Sequence, residues 1–138
     1  MRLHATTIAI DGYGVMIVGP SGSGKSDLAL RLVDRGAILI ADDQTVLGKA
    51  GDRISARAVA GFEGKIELRG VGIVTLPHQK EATVKLIVRL STLVPRVPDP
   101  RVETHLGIDV PVMKFDAMRP STPLLVEIAL RQVVEGTR

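Results

Sequence analysis

The chain has 138 residues and a net charge of +3, enough for one domain with a real core and only a mild pull on acidic partners. Hydrophobic residues make up 45% of it and aromatics 2%, so the core must be aliphatic, and the composition argues against a stacking platform for single-stranded nucleic acid. The absence of Cys removes disulfides, thiol catalysis and thiolate metal sites, and neither a signal peptide nor an apolar run near about 18 residues is found; a soluble cytoplasmic protein without a membrane span is expected.

"TTIAI", "DG" and "YGVMIVG" predict a strand, a two-residue turn and a second strand, because Asp-Gly tolerates positive φ at both turn positions. A helix is expected from Lys25 to Arg35. Asp27, Arg31, Asp34 and Arg35 share one wet stripe, and Gly36 is placed to cap the end. "AILIA" follows as an apolar strand without alternation, which suits a sheet covered on both faces, and it runs into Asp42-Asp43. The middle is β-rich, with a hairpin around "GKAGDR", extended segments around Gly70 and Gly72, and a strand at "TVKLIVRL". "VPRVPDPR" carries three prolines in eight residues and is expected to be a loop or arm. "DVPVMKF" is expected as an edge strand, since Pro111 cannot donate to a ladder. A last helix is expected to begin at Pro123, with Thr122 as its cap, and to run to Gly136.

Gly19-Pro20-Ser21-Gly22-Ser23-Gly24-Lys25-Ser26 fits G-x-x-x-x-G-K-[ST] at every fixed position. The glycines let the backbone wrap an anion with N–H groups inward, and the following helix aims its positive end at the same place. Lys25 would neutralise the β- and γ-phosphates, and the Ser26 hydroxyl would ligate Mg²⁺. The expected fold class is therefore α/β, a P-loop (Walker A) nucleotide-binding fold with a β-rich core, in one kinase domain over residues 1–138. A right-handed crossover through the helix would set "AILIA" parallel to the strand before the loop, bringing Asp42 and Asp43 beside the phosphates. One could hold Mg²⁺ through water, and one could take a proton from an incoming hydroxyl. With no Asn in the chain, the guanine-reading Asn-Lys-x-Asp is impossible, and "LPHQKEATVK" is too short and Arg-poor for a kinase lid.

"GPSGSGKSDLALRLVDRGAILIADD" resembles the core of the HPr kinase/phosphorylase family, which reads G-x-S-G-x-G-K-S-E-x-A-L-x-L, then R-G-H and a strand ending A-D-D. "IELRGVGIVTL" resembles the family's second signature, E-I-R-G-x-G-I, and "MRPSTPLLVEIALR" is loosely similar to its R-P-G-R-N segment and final helix. The resemblance runs from about Leu3 to Arg131 and looks like the catalytic domain without the family's additional N-terminal domain. It implies an ATP- and Mg²⁺-dependent protein-serine kinase. The substrate would be a small HPr-like phosphocarrier of the phosphotransferase system, and many members also remove the phosphate with inorganic phosphate. It implies homo-oligomers, hexamers in the family. By the same resemblance Lys25 and Ser26 keep the roles above, Asp43 matches the acid that deprotonates the serine, His4 a histidine near it, and Glu67 a second Mg²⁺ ligand; Arg69 and Gly70 belong to the same signature. Asp27 stands where the family has Glu, and His78 and His105 match nothing and are expected in loops.

The chain also departs from the family. "TLPHQKEATVKL" replaces a glycine-rich segment that carries a functional Arg, leaving Lys80 as the candidate substitute. Ser121-Thr122 stand where the family has Gly-Arg, so phosphorolysis is expected to be weak. A small-molecule kinase and a nucleotide-sensing regulatory P-loop module remain as alternatives.

Overall fold

The computed structural model describes residues 1–136; the last two of the 138 expected in the domain lie outside them. In chain order the elements are β1 (Arg2–Leu3), β2 (Ala5–Ile10), β3 (Tyr13–Val18), α1 (Lys25–Asp34), β4 (Ile38–Ala41), β5 (Thr45–Ala50) and β6 (Arg53–Ala58), then β7 (Lys65–Leu68), β8 (Gly72–Thr75), β9 (Glu81–Leu90), β10 (Arg101–His105), β11 (Ile108–Phe115) and α2 (Thr122–Glu135). Nine strands form one sheet, with β7 and β8 as a separate hairpin. No helix among the described residues is long and apolar enough to cross a membrane.

The Asp-Gly turn forms as its chemistry dictates: Asp11 and Gly12 take φ of 52° and 83°, and β2 and β3 pair antiparallel from Ile10↔Tyr13 to Ala5↔Val18. Helix α1 ends in a Schellman motif, with Gly36 at φ 110° and bonds from Gly36 N–H to Val33 and from Ala37 N–H to Leu32. Strand β4 then runs in the direction of β3, as the crossover argument requires. It does not lie next to β3, because β2 intervenes and pairs antiparallel with both. The two-residue turn seats β2 directly against β3, which leaves β4 the far edge of β2.

Side chains alternate between two cores. Ile8, Val15, Ile17, Leu39, Leu86 and Val88 face Leu28 and Leu32 of α1 and Val126 and Leu130 of α2. Met16, Ile40, Leu47, Ile54, Ala56 and Ile87 form the second core, which contains no helical residue; the sheet curls so that its own strands close it. This explains why "AILIA" shows no polar alternation.

Strand β9 organises the sheet. One edge pairs parallel with β3 from Thr83 to Arg89; the other pairs with β6 at Glu81–Thr83 and with β11 at Ile87–Leu90. The register slips between Gly14 and Val15, where a Cβ on Gly14 would lie 2.8 Å from the Thr83 carbonyl oxygen. Backbone cannot move aside as a side chain can, so Gly14→Ala is expected to cost about 1–3 kcal/mol. A lower urea midpoint at unchanged slope is the expected reading, and an unchanged midpoint would contradict it.

Four sequence expectations are corrected. Strand β11 is not an edge: its first half pairs with β10 and its last residues with β9, and Pro111 sits just before the β9 ladder begins at Val112. Strand β10 was not expected at all, and His105 belongs to it rather than to a loop, with Nε2 3.3 Å from Glu103. Helix α2 starts at Thr122 after Ser121, and Thr122 caps nothing; its buried hydroxyl donates to the Asp116 carbonyl. Lys80 precedes β9 at the edge of the sheet opposite the Gly19–Gly24 loop, so it cannot replace an arginine there.

Candidate functional site

Strand β3 delivers the chain at Val18 into the loop Gly19–Gly24, and α1 begins at Lys25. Gly22 and Gly24 take φ of 79° and 101°, a conformation only glycine holds without strain. A Cβ at Gly19 would lie 2.6 Å from the Ser23 hydroxyl, and one at Gly24 would lie 3.1 Å from Ala117. No side chain caps the start of α1, so its first N–H groups stay open for an anion. Two further observations fit a polyphosphate. The Ser23 hydroxyl is buried without a partner. The nearly buried Lys25 ammonium has no acidic partner among the described residues; it donates to the Gly19 and Pro20 carbonyls at 2.8 and 3.0 Å, holding the loop in its wrapped shape.

The acidic pair sits just beyond β4, on the β2 side of β3. Asp42 is enclosed by donors: its Oδ1 accepts from the Ser26 hydroxyl at 2.6 Å and the Thr6 hydroxyl at 3.0 Å, and its Oδ2 from the Glu67 N–H at 3.2 Å. Asp43 is more exposed and held differently. Its Oδ1 accepts from His4 Nε2 at 2.7 Å, and its N–H donates to the Thr6 hydroxyl at 3.2 Å. Its φ of 65° is unusual for a non-glycine residue, the kind of local strain that gathers at functional sites.

Thr6 therefore serves both acids, and the sequence did not flag it. It is fully buried in β2, and a β-branched residue in a strand attracts no notice. Its position two residues after His4 was the available signal, since alternate residues of an extended chain share a face. Asp27 pairs with Arg31 at 3.1 Å, and Arg31 also reaches the carbonyls of Ala117 and, at 3.4 Å, Arg119. The loop after β11 is thus tied to α1 through Arg31 in the helix's last turn.

Lys25, Ser26, Asp42, Asp43, Glu67 and Arg69 line one open cleft of about 1120 Å³. His4 joins it through Asp43. Among the described residues no three His, Cys, Asp or Glu side chains cluster as a metal cage. The donor set is instead a hydroxyl, one enclosed carboxylate and a nearby acid, all hard oxygens, which suits Mg²⁺ shared with phosphates rather than caged by protein. His78 lies on the far side of the β7–β8 hairpin, bonded to the Leu76 carbonyl at 3.0 Å.

The family model described as the HPr Serine kinase C-terminal domain matches residues 1–116. HPr kinase/phosphorylase of Caldicellulosiruptor bescii is 32% identical over 91% of this chain and 45% of its own length. The same-named protein of Lacticaseibacillus casei BL23 is 36% identical over 82% of this chain and 39% of its own length, and that of Aromatoleum aromaticum is 31% identical over 97% and 48%. The chain thus spans less than half the length of these curated relatives. The solved Hpr(Ser) kinase/phosphatase of Coxiella burnetii superimposes with a TM-score of 0.87, at 31% identity, over 99% of this chain and 98% of that one. Sequence, fold and the matched residues agree: this chain belongs to the HPr serine kinase C-terminal domain family.

Proposed function

We propose that the chain is an ATP-dependent protein-serine kinase whose acceptor is an HPr-like phosphocarrier of the phosphotransferase system, working in the cytoplasm as a homo-oligomer. The observation that carries this reading is the pair of differently held carboxylates at the mouth of a phosphate loop: Asp42 bound to Ser26, Asp43 bound to His4. The breadth of the cleft supports a protein acceptor over a small metabolite. Val71 on its wall is 72% exposed, and Ile73 beside it 71%, apolar surface suited to another protein rather than to an enclosed metabolite.

Lys25 leaves the Gly19 and Pro20 carbonyls for the β- and γ-phosphates, and the open N–H groups of the loop cradle the same oxygens. Ser26 and Asp42 would hold Mg²⁺, with Glu67 as a further ligand, and the bound ion would neutralise charge between the two phosphates. Asp43 accepts the proton of the incoming serine hydroxyl as its oxygen bonds to the γ-phosphorus and the bond to the ADP oxygen breaks. His4 fixes the orientation of that carboxylate from behind. The test is incubation with ATP, Mg²⁺ and a purified HPr-like protein, followed by mass mapping of the phosphoserine. Turnover on small hydroxylated metabolites with none on the carrier would overturn the reading, as would ATP binding without any transfer.

Phosphorolysis is expected to be slow beside phosphorylation. Inorganic phosphate must be brought up to phosphoserine, anion against anion, and that calls for extra positive charge. Thr122 offers none and is already engaged with Asp116, while Arg119 lines a different cleft. Pyrophosphate release from phosphorylated carrier at millimolar phosphate is the measure, and release matching the forward rate would refute the expectation.

A further inference from the structure

Two ladders join the start of the chain to the segment after α1, and the acidic pair sits in the break between them. Strand β2 pairs with β4 as far as Thr7↔Ala41, and β1 pairs with β5 at Leu3↔Thr45 and Arg2↔Val46. The two ladders keep one antiparallel register, so across the break Thr6 stands opposite Asp42, yet residues 4–6 and 42–44 share no ladder pair. Asp43, at φ 65°, is left-handed and cannot continue an extended ladder. Side chains bridge the gap instead. The Thr45 hydroxyl donates to the Ala5 carbonyl at 2.9 Å, His4 meets the Asp43 carboxylate, and Thr6 reaches both acids.

Proton count fixes the direction of the Thr6 bonds. The Asp43 N–H can only donate, so the Thr6 oxygen accepts it at 3.2 Å, and the single hydroxyl proton goes to Asp42 Oδ1 at 3.0 Å. The same Oδ1 accepts from the Ser26 hydroxyl at 2.6 Å. One polarised chain therefore runs from the backbone of Asp43 through Thr6 and the Asp42 carboxylate to the first turn of α1, and each bond strengthens the next. Thr6 is fully buried, so water does not compete for its hydroxyl.

The two ties on Asp43 do different work. His4 bonds the carboxylate from an exposed position and sets how that side chain turns. Thr6 bonds the N–H and sets where the strained backbone stands. We infer that Thr6 is a positioning residue for phosphoryl transfer: through Asp42 and Ser26 it holds the backbone of Asp43, and so the base, at a fixed place relative to phosphates in the Gly19–Gly24 loop. The inference rests on the reading of Asp43 as the base. Transfer demands reacting atoms about 3–3.5 Å apart and aligned, so loss of this chain slows the step without weakening nucleotide binding.

The test compares Thr6→Val, which keeps the shape and removes the hydroxyl, with Thr6→Ser, which keeps the hydroxyl. Single-turnover transfer to a purified HPr-like carrier at saturating Mg·ATP is expected to fall about tenfold or more in Thr6→Val and to recover to within about threefold of wild type in Thr6→Ser. Mg·ATP affinity is expected to stay within about threefold in both, which also shows that they fold. Thr6→Ala, which lacks the hydroxyl and adds no bulk, takes the place of Thr6→Val if that variant does not fold. Adding Thr6→Val to Asp43→Asn is expected to cost less than about threefold, because no base is left to place, whereas a general disturbance of the site would cost the same in either background. In the free protein the Asp43 amide is expected to exchange with solvent about tenfold or more faster in Thr6→Val than in wild type. A full transfer rate in Thr6→Val, an equal loss in both backgrounds, or an Asp43 amide that exchanges alike in the two proteins would each overturn the assignment while leaving the kinase reading intact. A wild-type chain that does not phosphorylate the carrier, or an Asp43→Asn variant that transfers at the wild-type rate, would overturn the base reading and this assignment with it.

Discussion

Asp43→Asn is expected to lower the rate of serine phosphorylation by about 10² or more, the usual range for loss of a general base, while ATP binding stays within about twofold. The substitution is suited to isolating the proton. Asn matches Asp in size, tolerates the positive φ of position 43 and can still bond to His4 in its other tautomer. Its backbone N–H still reaches Thr6, so the loop after β4 keeps its shape. What is lost is the capacity to accept a proton from the acceptor hydroxyl. Single-turnover transfer to the carrier measures the step, and isothermal titration measures ATP. Asp42→Asn probes something else: it weakens the acceptor facing Ser26, and raises the Mg²⁺ concentration needed for half-maximal rate. If Asp42→Asn abolished transfer at saturating Mg²⁺ while Asp43→Asn barely slowed it, the two acids would have to exchange roles.

Lys25→Ala is expected to weaken ATP binding by at least tenfold and to abolish measurable transfer. A charge-assisted hydrogen bond contributes about 1.5–3 kcal/mol, and each 1.4 kcal/mol is a factor of ten in affinity. The effect on rate is expected to be larger, because in the proposed reaction the ammonium would face the leaving phosphates, where charge builds. The loop also loses its internal clamp, since no other side chain donates to the Gly19 and Pro20 carbonyls among the described residues. Lys25→Arg is not expected to rescue: a planar fork does not follow the path of a flexible ammonium inside a closed loop. Titration of ATP into the three proteins, with transfer assayed in parallel, checks both statements. Undiminished binding by Lys25→Ala would remove the phosphate-loop assignment.

Much of the site was legible because its chemistry is local. The phosphate loop needs glycines at fixed offsets and a helix immediately after, and Asp-Gly dictates its own turn; neither depends on distant partners. The carboxylates needed one further step, the direction of β4, and the crossover rule supplied it without knowing that β2 would stand between β4 and β3. The failures are non-local. Pro111 excludes a ladder partner on one side at one position only, and the pairing of β11 with β9 begins one residue later. "RVETH" is too short and too polar to declare itself as a strand until β11 lies beside it. Thr122 has the right chemistry for a cap, but the Asp116 carbonyl, six residues back and held in place by tertiary packing, takes its hydroxyl. The cleft that Arg119 lines was invisible for the same reason, since its walls meet only when β3, β9 and β11 align.

The double partnership of β9 has a dynamic consequence. Leu86, Ile87 and Val88 are fully buried, and the strand is flanked by β3 on one edge and by β6 and β11 in turn on the other. At Thr83 and from Ile87 to Arg89 the strand has ladder partners on both edges, so the amides of this stretch are expected to be among the slowest in the domain to exchange with solvent. The Gly19–Gly24 loop and the loops after β9 and β11 all leave from the strands paired along this stretch. The β7–β8 hairpin shares no ladder with the large sheet and is held to the domain instead by the buried Ile66 and by the bonds of Leu39 with Pro77 and Gln79, so its turn at residues 69–71 is the part of the cleft wall expected to move most freely.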